Sequence, residues 1–442
     1  MVKPSYVWQP YTQMKEWNSF PEIVRGDGMW LIDSNGNKLL DGVASMWCNV
    51  WGHSKREIIS AIKNQSQKNI HSSMFNLTND QAEKLASKIT KIAPNMHRVF
   101  YSDDGSTAME VAFKIAIQYW KNKNEKNKSI FATLQNGYHG DTFGAMSVGF
   151  IPSFFSSFKS NLDKTIHFPF ANSYRVPKNM KLDEYYNQVL AKIERGFAKN
   201  EKIAAFVMES GAQMAGGVNI YRDKLQMKVS KLCKKNNILL ILDEVATGFG
   251  RLGSFIEYEA QNSMPDIVAF GKMLTGGYLP LAATLTTKKV YDAFLGDYFD
   301  MKHLFHGHTF TGNPLACSVA NENLRLYEKS KLMDKIKKTS KIFEKRAAEI
   351  EKLEMVGDVR FKGMLMGIEL VKDRKSKKPV TFGTSTNKIV FDEARKHGIY
   401  LRSLGNIVML VPPLAISEGE LNMLVDGTIK TISGITRRKK RL

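Results

Sequence analysis

Cysteine and long apolar segments are both scarce in this chain. Its three cysteines are odd in number for 442 residues, widely spaced, and form no CxxC pair. This spacing favours neither a disulfide framework nor a zinc site, so we expect free thiols in the reducing cytoplasm. No stretch approaches the length that crosses a bilayer, and the first ten residues lack the apolar core of a signal peptide. We therefore expect a soluble, unexported protein without a membrane partner.

Acidic residues are outnumbered: 43 Asp and Glu stand against 64 Lys and Arg, for a formal charge of +21. Such an excess could indicate nucleic-acid binding, because clustered cations displace counterions from phosphate backbones. The basic residues are scattered, however, and the only dense run is 437–441. A solvated, lysine-rich surface is the favoured interpretation, with no nucleic-acid partner. A basic nucleic-acid-binding protein is the alternative from a different class.

Linker segments and internal repeats are also missing, which predicts one continuous architecture. The middle of the chain alternates β-rich runs with amphipathic helices, the pattern of a parallel sheet covered on both faces. After about residue 315, long charged helices precede a compact α+β segment. We predict an α/β fold with a large domain at 59–315 and a smaller α+β domain at 316–442, which the segment 1–58 joins.

Three transitions from a strand to a loop carry the candidate chemistry. One strand leads into Gly105-Ser106 and a helix, a second ends at Asp243, and a third delivers Lys272 to a glycine-rich loop. In open α/β sheets, ligands bind outside the carboxyl ends of the strands, so these segments could face one site. A free helix start can bind an anion, although a Gly-Ser start is more often only a cap.

These residue types match the needs of amine chemistry on a pyridoxal ring: a lysine, a carboxylate for the pyridine nitrogen, and anion donors for the phosphate. A carboxylate at Asp243 would be costly to bury unless it meets a cation, and a magnesium ligand or helix cap explains it equally well. Burial beside glycines would depress the pKa of Lys272 and make its amine nucleophilic. A plain surface lysine is the alternative.

The strings at 243–251 and 271–277 resemble the signature of the class III aminotransferases, which are pyridoxal-phosphate enzymes of fold type I. The blocks at 138–142 and 308–314 match further family segments in the expected order, and the resemblance covers nearly the whole chain. It implies a large domain with a mostly parallel seven-stranded sheet, pyridoxal 5'-phosphate as cofactor, and a homodimer. Within the class, the chain is most similar to the diaminopelargonic acid synthases of biotin biosynthesis, notably at 8–14, 45–47 and 401–405.

The resemblance also implies roles for individual residues. Lys272 would bond the cofactor covalently, Asp243 would hold its pyridine nitrogen, and Tyr138 would stack on its ring. The implied catalytic residues are Lys272, Asp243 and Tyr11. The implied cofactor-binding residues are Gly105, Ser106, Tyr138, Asp243, Lys272, His308 and Thr309, with Thr309 reaching the neighbouring subunit's phosphate. The implied substrate-binding residues are Tyr11, Met46, Trp47, Tyr138, Gly307 and Arg402.

Several of these residues have plainer interpretations. Tyr11 and Trp47 could be core aromatics, and Arg402 could be a surface arginine. No metal site is expected, because the histidines at 139, 303, 306 and 308 have no carboxylate at ligand spacing beside them.

The implied reaction converts 8-amino-7-oxononanoate to 7,8-diaminononanoate. Arg402 suits this substrate, because a guanidinium can bind its terminal carboxylate through two hydrogen bonds. S-adenosylmethionine is the default amino donor, and lysine is the alternative. Many relatives that use S-adenosylmethionine have two adjacent tryptophans where this chain has Met46-Trp47, and a thioether suits a sulfonium or adenine less well than an indole does. Another class III ω-aminotransferase activity is a further alternative.

Overall fold

The computed structural model describes residues 6–17 and 20–439. The strands, in chain order, are β1 Ile23–Asp27, β2 Trp30–Asp33, β3 Lys38–Asp41, β4 Met96–Ser102, β5 Ile130–Leu134, β6 Thr165–Phe168, β7 Ile203–Glu209, β8 Ala212–Gln213, β9 Asn219–Ile220, β10 Leu239–Asp243, β11 Ile267–Phe270, β12 Ala282–Thr287, β13 Val356–Lys362, β14 Leu365–Leu370, β15 Ile399–Tyr400, β16 Arg402–Leu404 and β17 Ile407–Leu410.

The α-helices span Arg56–Ser66, Asp80–Ile92, Gly105–Asn122, Phe143–Val148, Pro152–Phe155, Leu182–Lys199, Leu225–Lys235, Glu257–Ala260, Lys288–Asp292, Pro314–Lys329, Leu332–Glu351, Thr386–Arg395 and Glu418–Lys439. Short 3₁₀ turns lie at Met14–Glu16, Ser156–Asn161, Lys272–Thr275 and Tyr298–Asp300. A kinked turn with non-helical residues inside it occupies Ala44–Trp47.

A seven-stranded sheet forms the centre of the molecule, in the order β4-β12-β11-β10-β7-β5-β6. Only β12 runs antiparallel to its neighbours, and the pairs from β11 to β6 are parallel. Every residue of β7 and β10 is buried, as expected for strands covered by helices on both faces. The predicted α/β fold with a mostly parallel seven-stranded sheet is confirmed.

The helix Gly105–Asn122 covers one face of this sheet. Its N-terminus is fixed by a capping box, in which the Asp104 side chain accepts from the Thr107 amide while the Thr107 hydroxyl accepts from the Asp104 amide. One face of the helix is an apolar stripe that is buried at Ala108, Val111, Ala112, Ile115, Ala116 and Tyr119. The cap and the stripe together set the helix start at the edge of the sheet where β10 ends.

Two smaller sheets lie outside the central one. Strands β13, β14, β17 and β16 form an antiparallel sheet, and β1, β2 and β3 pair through β3 with β15. The parallel β3–β15 pair joins Leu40 to Ile399 and Asp41 to Tyr400, so the N-terminal strands share a sheet with a C-terminal strand. Segments from both ends of the chain are thereby brought together.

No helix in the described residues is long and apolar enough to cross a membrane. Cys48, Cys233 and Cys317 are free thiols. The basic run ends in Lys440 and Arg441, which lie outside the described residues.

Candidate active site

A cavity of about 440 Å³ opens where β7, β10 and β11 end and the helix Gly105–Asn122 begins. The three transitions identified in the sequence therefore meet at one place. Of the predicted site residues, the cavity is lined by Trp47, Gly105, Ser106, Tyr138, Asp243 and Lys272.

Lys272 enters this cavity directly after β11. Its backbone takes a positive φ of 45° at the start of the 3₁₀ turn, a conformation that is uncommon outside glycine and typical of constrained sites. The Nζ atom lies 5.7 Å from the centroid of the Trp47 ring. Burial lowers the pKa of the Lys272 amine below its ordinary value, and the negative charge of Asp243 partly opposes this shift.

Asp243 ends β10 and has only 6% of its surface exposed. One carboxylate oxygen accepts from the Val245 amide at 2.9 Å, and the other lies 2.9 Å from Nδ1 of His139. His139 is itself buried and lines the cavity, and Asp243 supplies a carboxylate beside it that spacing along the sequence did not predict. No local spacing predicts this contact, because 104 residues separate the two partners.

Glu209 is a second buried carboxylate in the cavity wall, and the sequence analysis missed it. It ends β7 directly beside Asp243 in the parallel register, so the strand-end rule that singled out Asp243 could also have found it. Its oxygens accept from the amides of Tyr138 at 3.3 Å and Met214 at 2.7 Å. Burial raises the pKa of Glu209 to about 8, against the lowering effect of these hydrogen bonds.

Two glycines leave room for the helix start at the cavity. A Cβ atom on Gly105 would meet Cγ1 of Val245 at 2.6 Å, and one on Gly140 would collide with the side chain of Ser106. Gly140 also has a φ of 124°, which disfavours any other residue. The backbone amides and the Ser106 hydroxyl can thus approach an anion closely at this end of the cavity.

Tyr138 and Tyr11 form an aromatic group at another side of the site. The Tyr138 ring stacks against Phe155 with a centroid distance of 6.2 Å, and the Tyr11 ring contacts Phe154 edge-on at 5.2 Å. Tyr11 donates its hydroxyl hydrogen to Oδ1 of Asp141 at 2.5 Å. Partial burial and this carboxylate raise the pKa of Tyr11, so its hydroxyl stays protonated at neutral pH.

Arg402 begins β16 and contacts the predicted substrate residue Met46, although 356 positions separate them. Its Nη1 atom lies 3.4 Å from Sδ of Met46. Met46 has 42% of its surface exposed, and the neighbouring Trp47 has 8%. The structure therefore brings the guanidinium next to the segment that enters the cavity, although Arg402 is not part of the lining.

The predicted residues at 307–309 lie apart from the cavity of their own chain. Gly307 lies against the Phe75 ring, and Nε2 of His308 is 3.3 Å from Nε2 of His306. Thr309 is exposed. None of these three belongs to the residues that line the cavity.

The fold and the cavity together define a class of protein. A mostly parallel seven-stranded sheet, with a strand-end aspartate and a partly buried lysine in one cavity beside a helix start, is the arrangement typical of aminotransferases of fold type I. The family model "Aminotransferase class-III" matches residues 11–432. The chain belongs to the class III aminotransferases, and the resemblance read from the sequence is confirmed.

Individual relatives narrow the comparison. The chain is 44% identical over 436 residues to the adenosylmethionine-8-amino-7-oxononanoate aminotransferase of Geobacter sulfurreducens, an alignment that covers 98% of this chain and 96% of that relative. The crystal structure of the enzyme of the same name from Methanocaldococcus jannaschii matches with a TM-score of 0.90 and 43% identity over 97% of each chain. A pyridoxal-phosphate-bound amine transaminase from an uncultivated Pseudomonas species matches with a TM-score of 0.93 and 30% identity, covering 98% of this chain and all of that one.

Proposed function

We propose that the protein transfers an amino group to 8-amino-7-oxononanoate, which yields 7,8-diaminononanoate for biotin biosynthesis in the cytoplasm. The observation that carries the proposal is the meeting of Lys272 and Asp243 in one cavity of a class III aminotransferase fold. The identity of the substrate is inferred from relatives that align over nearly the whole chain and carry the name adenosylmethionine-8-amino-7-oxononanoate aminotransferase.

The cavity fits pyridoxal 5'-phosphate. Gly105 and Gly140 keep the helix start open to a phosphate, as the collisions expected of a Cβ atom at either position indicate. Asp243 offers a buried negative charge for the pyridine nitrogen, and Lys272 offers an amine of lowered pKa for the covalent bond. When bound, the cofactor supplies an electron-withdrawing ring that stabilises negative charge on the carbon next to the reacting nitrogen.

The chain's own residues then have distinct tasks. Lys272 can take up a proton and return it, because its lowered pKa leaves a larger fraction of the amine unprotonated at neutral pH. The contacts of Asp243 with His139 and the Val245 amide fix its carboxylate in the cavity wall, where it can face the pyridine nitrogen. Trp47 and Tyr138 shield the cavity with aromatic surface and limit the access of water.

Arg402 and Tyr11 are assigned to the acceptor. The terminal carboxylate of 8-amino-7-oxononanoate needs a cation, and Arg402 stands beside the Met46–Trp47 segment with a permanently charged guanidinium. The Tyr11 hydroxyl is anchored on Asp141, and its ring packs against Phe154, which also contacts the Tyr138 ring.

S-adenosylmethionine is the donor that the names of the relatives support, and lysine is the second candidate because Met46 supplies no indole. The experiment mixes the cofactor-loaded protein with each amine separately and follows its visible absorbance in single turnovers. Conversion by S-adenosylmethionine and not by lysine would settle the default donor, and the reverse result would assign lysine. If only ω-amino acids or simple amines converted the protein, the proposed reaction would be wrong.

A homodimer completes the proposal. Large apolar side chains between 295 and 310 are exposed in the single chain, at Leu295, Tyr298, Phe299, Met301, Phe305 and Phe310. A monomer in water would leave this apolar surface uncovered, and Gly307 to Thr309 lie in the same segment, outside the cavity of their own chain. We assign the surface to a second copy, whose phosphate site Thr309 reaches. Sedimentation should give a dimer, and an active monomer would contradict the assignment.

A further inference from the structure

The segment that carries Met46 and Trp47 has an unusual backbone. Ala44, Ser45 and Trp47 all have positive φ values, of 48°, 59° and 65°, and none of them is glycine. Ser45 combines its φ with a ψ of −73°, and Met46 has φ −145° and ψ 62°, so the short helical turn is broken inside. Such conformations persist only where surrounding contacts enforce them.

Asp41 supplies those contacts. It ends β3, is fully buried, and its carboxylate accepts from the Val43 amide at 3.1 Å and the Ser45 amide at 2.7 Å. The oxygen that accepts from the Ser45 amide is Oδ2. The Ser45 hydroxyl lies 3.3 Å from this Oδ2 atom, and Nε2 of His53 lies 3.2 Å from it. One buried carboxylate thus gathers the backbone and side-chain donors at the start of the strained segment.

The same strand end is tied to the part of the chain that carries Arg402. The Gly42 amide donates to the Tyr400 carbonyl at 3.0 Å, and the Val411 amide donates to the Gly42 carbonyl at 2.8 Å. A Cβ atom on Gly42 would meet the Tyr400 oxygen at 2.7 Å, so the two segments approach as closely as glycine permits. Asp41 therefore lies where the Met46–Trp47 segment leaves β3 and where the chain passes from β15 to the Arg402 strand.

We propose that Asp41 is a positioning residue for substrate binding: it holds Ala44–Trp47 in the strained form that sets Trp47 against Lys272 and Met46 against Arg402. The substrate part of this inference rests on the proposed function. Without the carboxylate, the segment relaxes toward ordinary backbone angles, and the wall that Trp47 and Met46 provide moves away from the reacting lysine and the guanidinium.

The first test compares Asp41→Asn with Asp33→Asn in the holoenzyme. Asp33 is a close match, because it also ends a strand, is 3% exposed, and accepts from the amides two and four residues later. Its turn carries none of the residues that line the cavity. We expect Asp41→Asn to raise the KM for 8-amino-7-oxononanoate by about tenfold, the scale of one lost hydrogen bond to a charged group. Cofactor absorbance should be retained, and Asp33→Asn should leave KM unchanged.

The second test needs no substrate. Cys48 directly follows the strained segment and is partly exposed, whereas Cys233 and Cys317 are buried. Burial also raises the pKa of the Cys48 thiol, which slows its reaction with a disulfide reagent. In Asp41→Asn, a relaxed segment should make Cys48 react about tenfold faster with dithiobis(nitrobenzoate), by the same hydrogen-bond scale, with Cys233 and Cys317 still silent. Global unfolding would instead label all three.

The outcomes separate the two proposals. If the wild-type protein fails to convert 8-amino-7-oxononanoate but Asp41→Asn still speeds Cys48 labelling, the proposed function fails and the positioning role stands. Wild-type turnover together with unchanged KM and unchanged Cys48 labelling in Asp41→Asn would overturn the role of Asp41. If Asp41→Asn does not fold, His53→Ala removes the imidazole contact to the same carboxylate and should shift both readouts in the same direction; unchanged readouts there would equally overturn it.

Discussion

Nδ1 of His139 and Oδ2 of Asp243 are 2.9 Å apart in the buried wall of the cavity. An ionised carboxylate can only accept, so Nδ1 carries the hydrogen of this bond. Nε2 of the same ring has no partner among the described residues. The imidazole ring is therefore oriented by its contact with Asp243.

Replacing Asp243 by Asn should weaken cofactor binding and slow both half-reactions, because a neutral amide cannot hold a protonated pyridine nitrogen. A hydrogen bond to a charged group is worth about 1.5–3 kcal/mol, which predicts a decrease of roughly 10- to 100-fold in cofactor affinity and in the rates of both half-reactions. Asp266→Asn is the matched control, since Asp266 accepts a backbone amide next to the same strands but does not line the cavity. Cofactor titration and single-turnover rates measure the effect, and wild-type rates in both half-reactions would remove Asp243 from its role.

Truncating Lys272 to Ala should abolish turnover and the pH-dependent visible absorbance of the bound cofactor while the fold stays intact. The reason is that the amine is the chain's only proposed covalent and proton-transferring group for the cofactor. Lys88→Ala controls for the loss of a partly buried lysine whose pKa is also lowered by burial, because Lys88 lies outside the cavity. Normal turnover by the Lys272 variant would show that Lys272 is not the residue that bonds the cofactor and transfers the proton.

Arg402→Ala should raise the KM for the keto substrate by roughly 10- to 100-fold, because truncation leaves the substrate carboxylate without its charged partner. The exposed Arg25 provides the control, and Arg25→Ala should leave KM at the wild-type value. Steady-state kinetics with the donor at saturation make the comparison. An unchanged KM in the Arg402 variant would mean that this guanidinium does not bind the substrate.

Glu209 predicts a pH dependence of stability. Its pKa is raised from the ordinary 4.5 to about 8, so the folded chain holds a proton that the unfolded chain has lost between these values. The contribution of Glu209 to the free energy of unfolding is therefore fully present below about pH 4.5. It falls as the pH rises from there through about 8, by no more than about 1.4 kcal/mol per pH unit. Glu209→Gln removes this loss.

Thermal unfolding midpoints of the wild type and Glu209→Gln at pH 5 and pH 8 measure the effect. Glu244 has a pKa raised to about 8 as well, but it is present in both proteins, so its contribution cancels in the difference. The unfolding midpoint of Glu209→Gln should rise relative to that of the wild type as the pH increases from 5 to 8. A constant difference between the two proteins would show that Glu209 titrates in its ordinary range.

The sequence allowed much of this site to be predicted because parallel sheets put chemistry at strand ends. Asp243 and Lys272 each follow a buried apolar strand, and both reach the cavity. The helix start at Gly105 could be predicted as part of the site for the same reason, because it also follows a strand of the central sheet. Glu209 obeys the identical rule and was available to the same reasoning.

Other features depend on tertiary contacts that no local pattern encodes. The positive φ values of Ala44, Ser45 and Trp47 run against the preferences of these residues, and the contact with the buried Asp41 at Ser45 comes from the fold and not from the local sequence. The His139–Asp243 contact joins segments 104 residues apart. The roles of Gly307, His308 and Thr309, and the domain boundaries, stay predictions.

The most direct test of the account is product formation. Purified holoenzyme is incubated with 8-amino-7-oxononanoate and either S-adenosylmethionine or lysine, and 7,8-diaminononanoate is measured by mass spectrometry, with Lys272→Ala as the matched inactive protein. We predict diaminononanoate in step with time and enzyme concentration for at least one donor, and none with Lys272→Ala. Absence of diaminononanoate with both donors, in a protein that still aminates another keto acid or aldehyde, would contradict the proposed function.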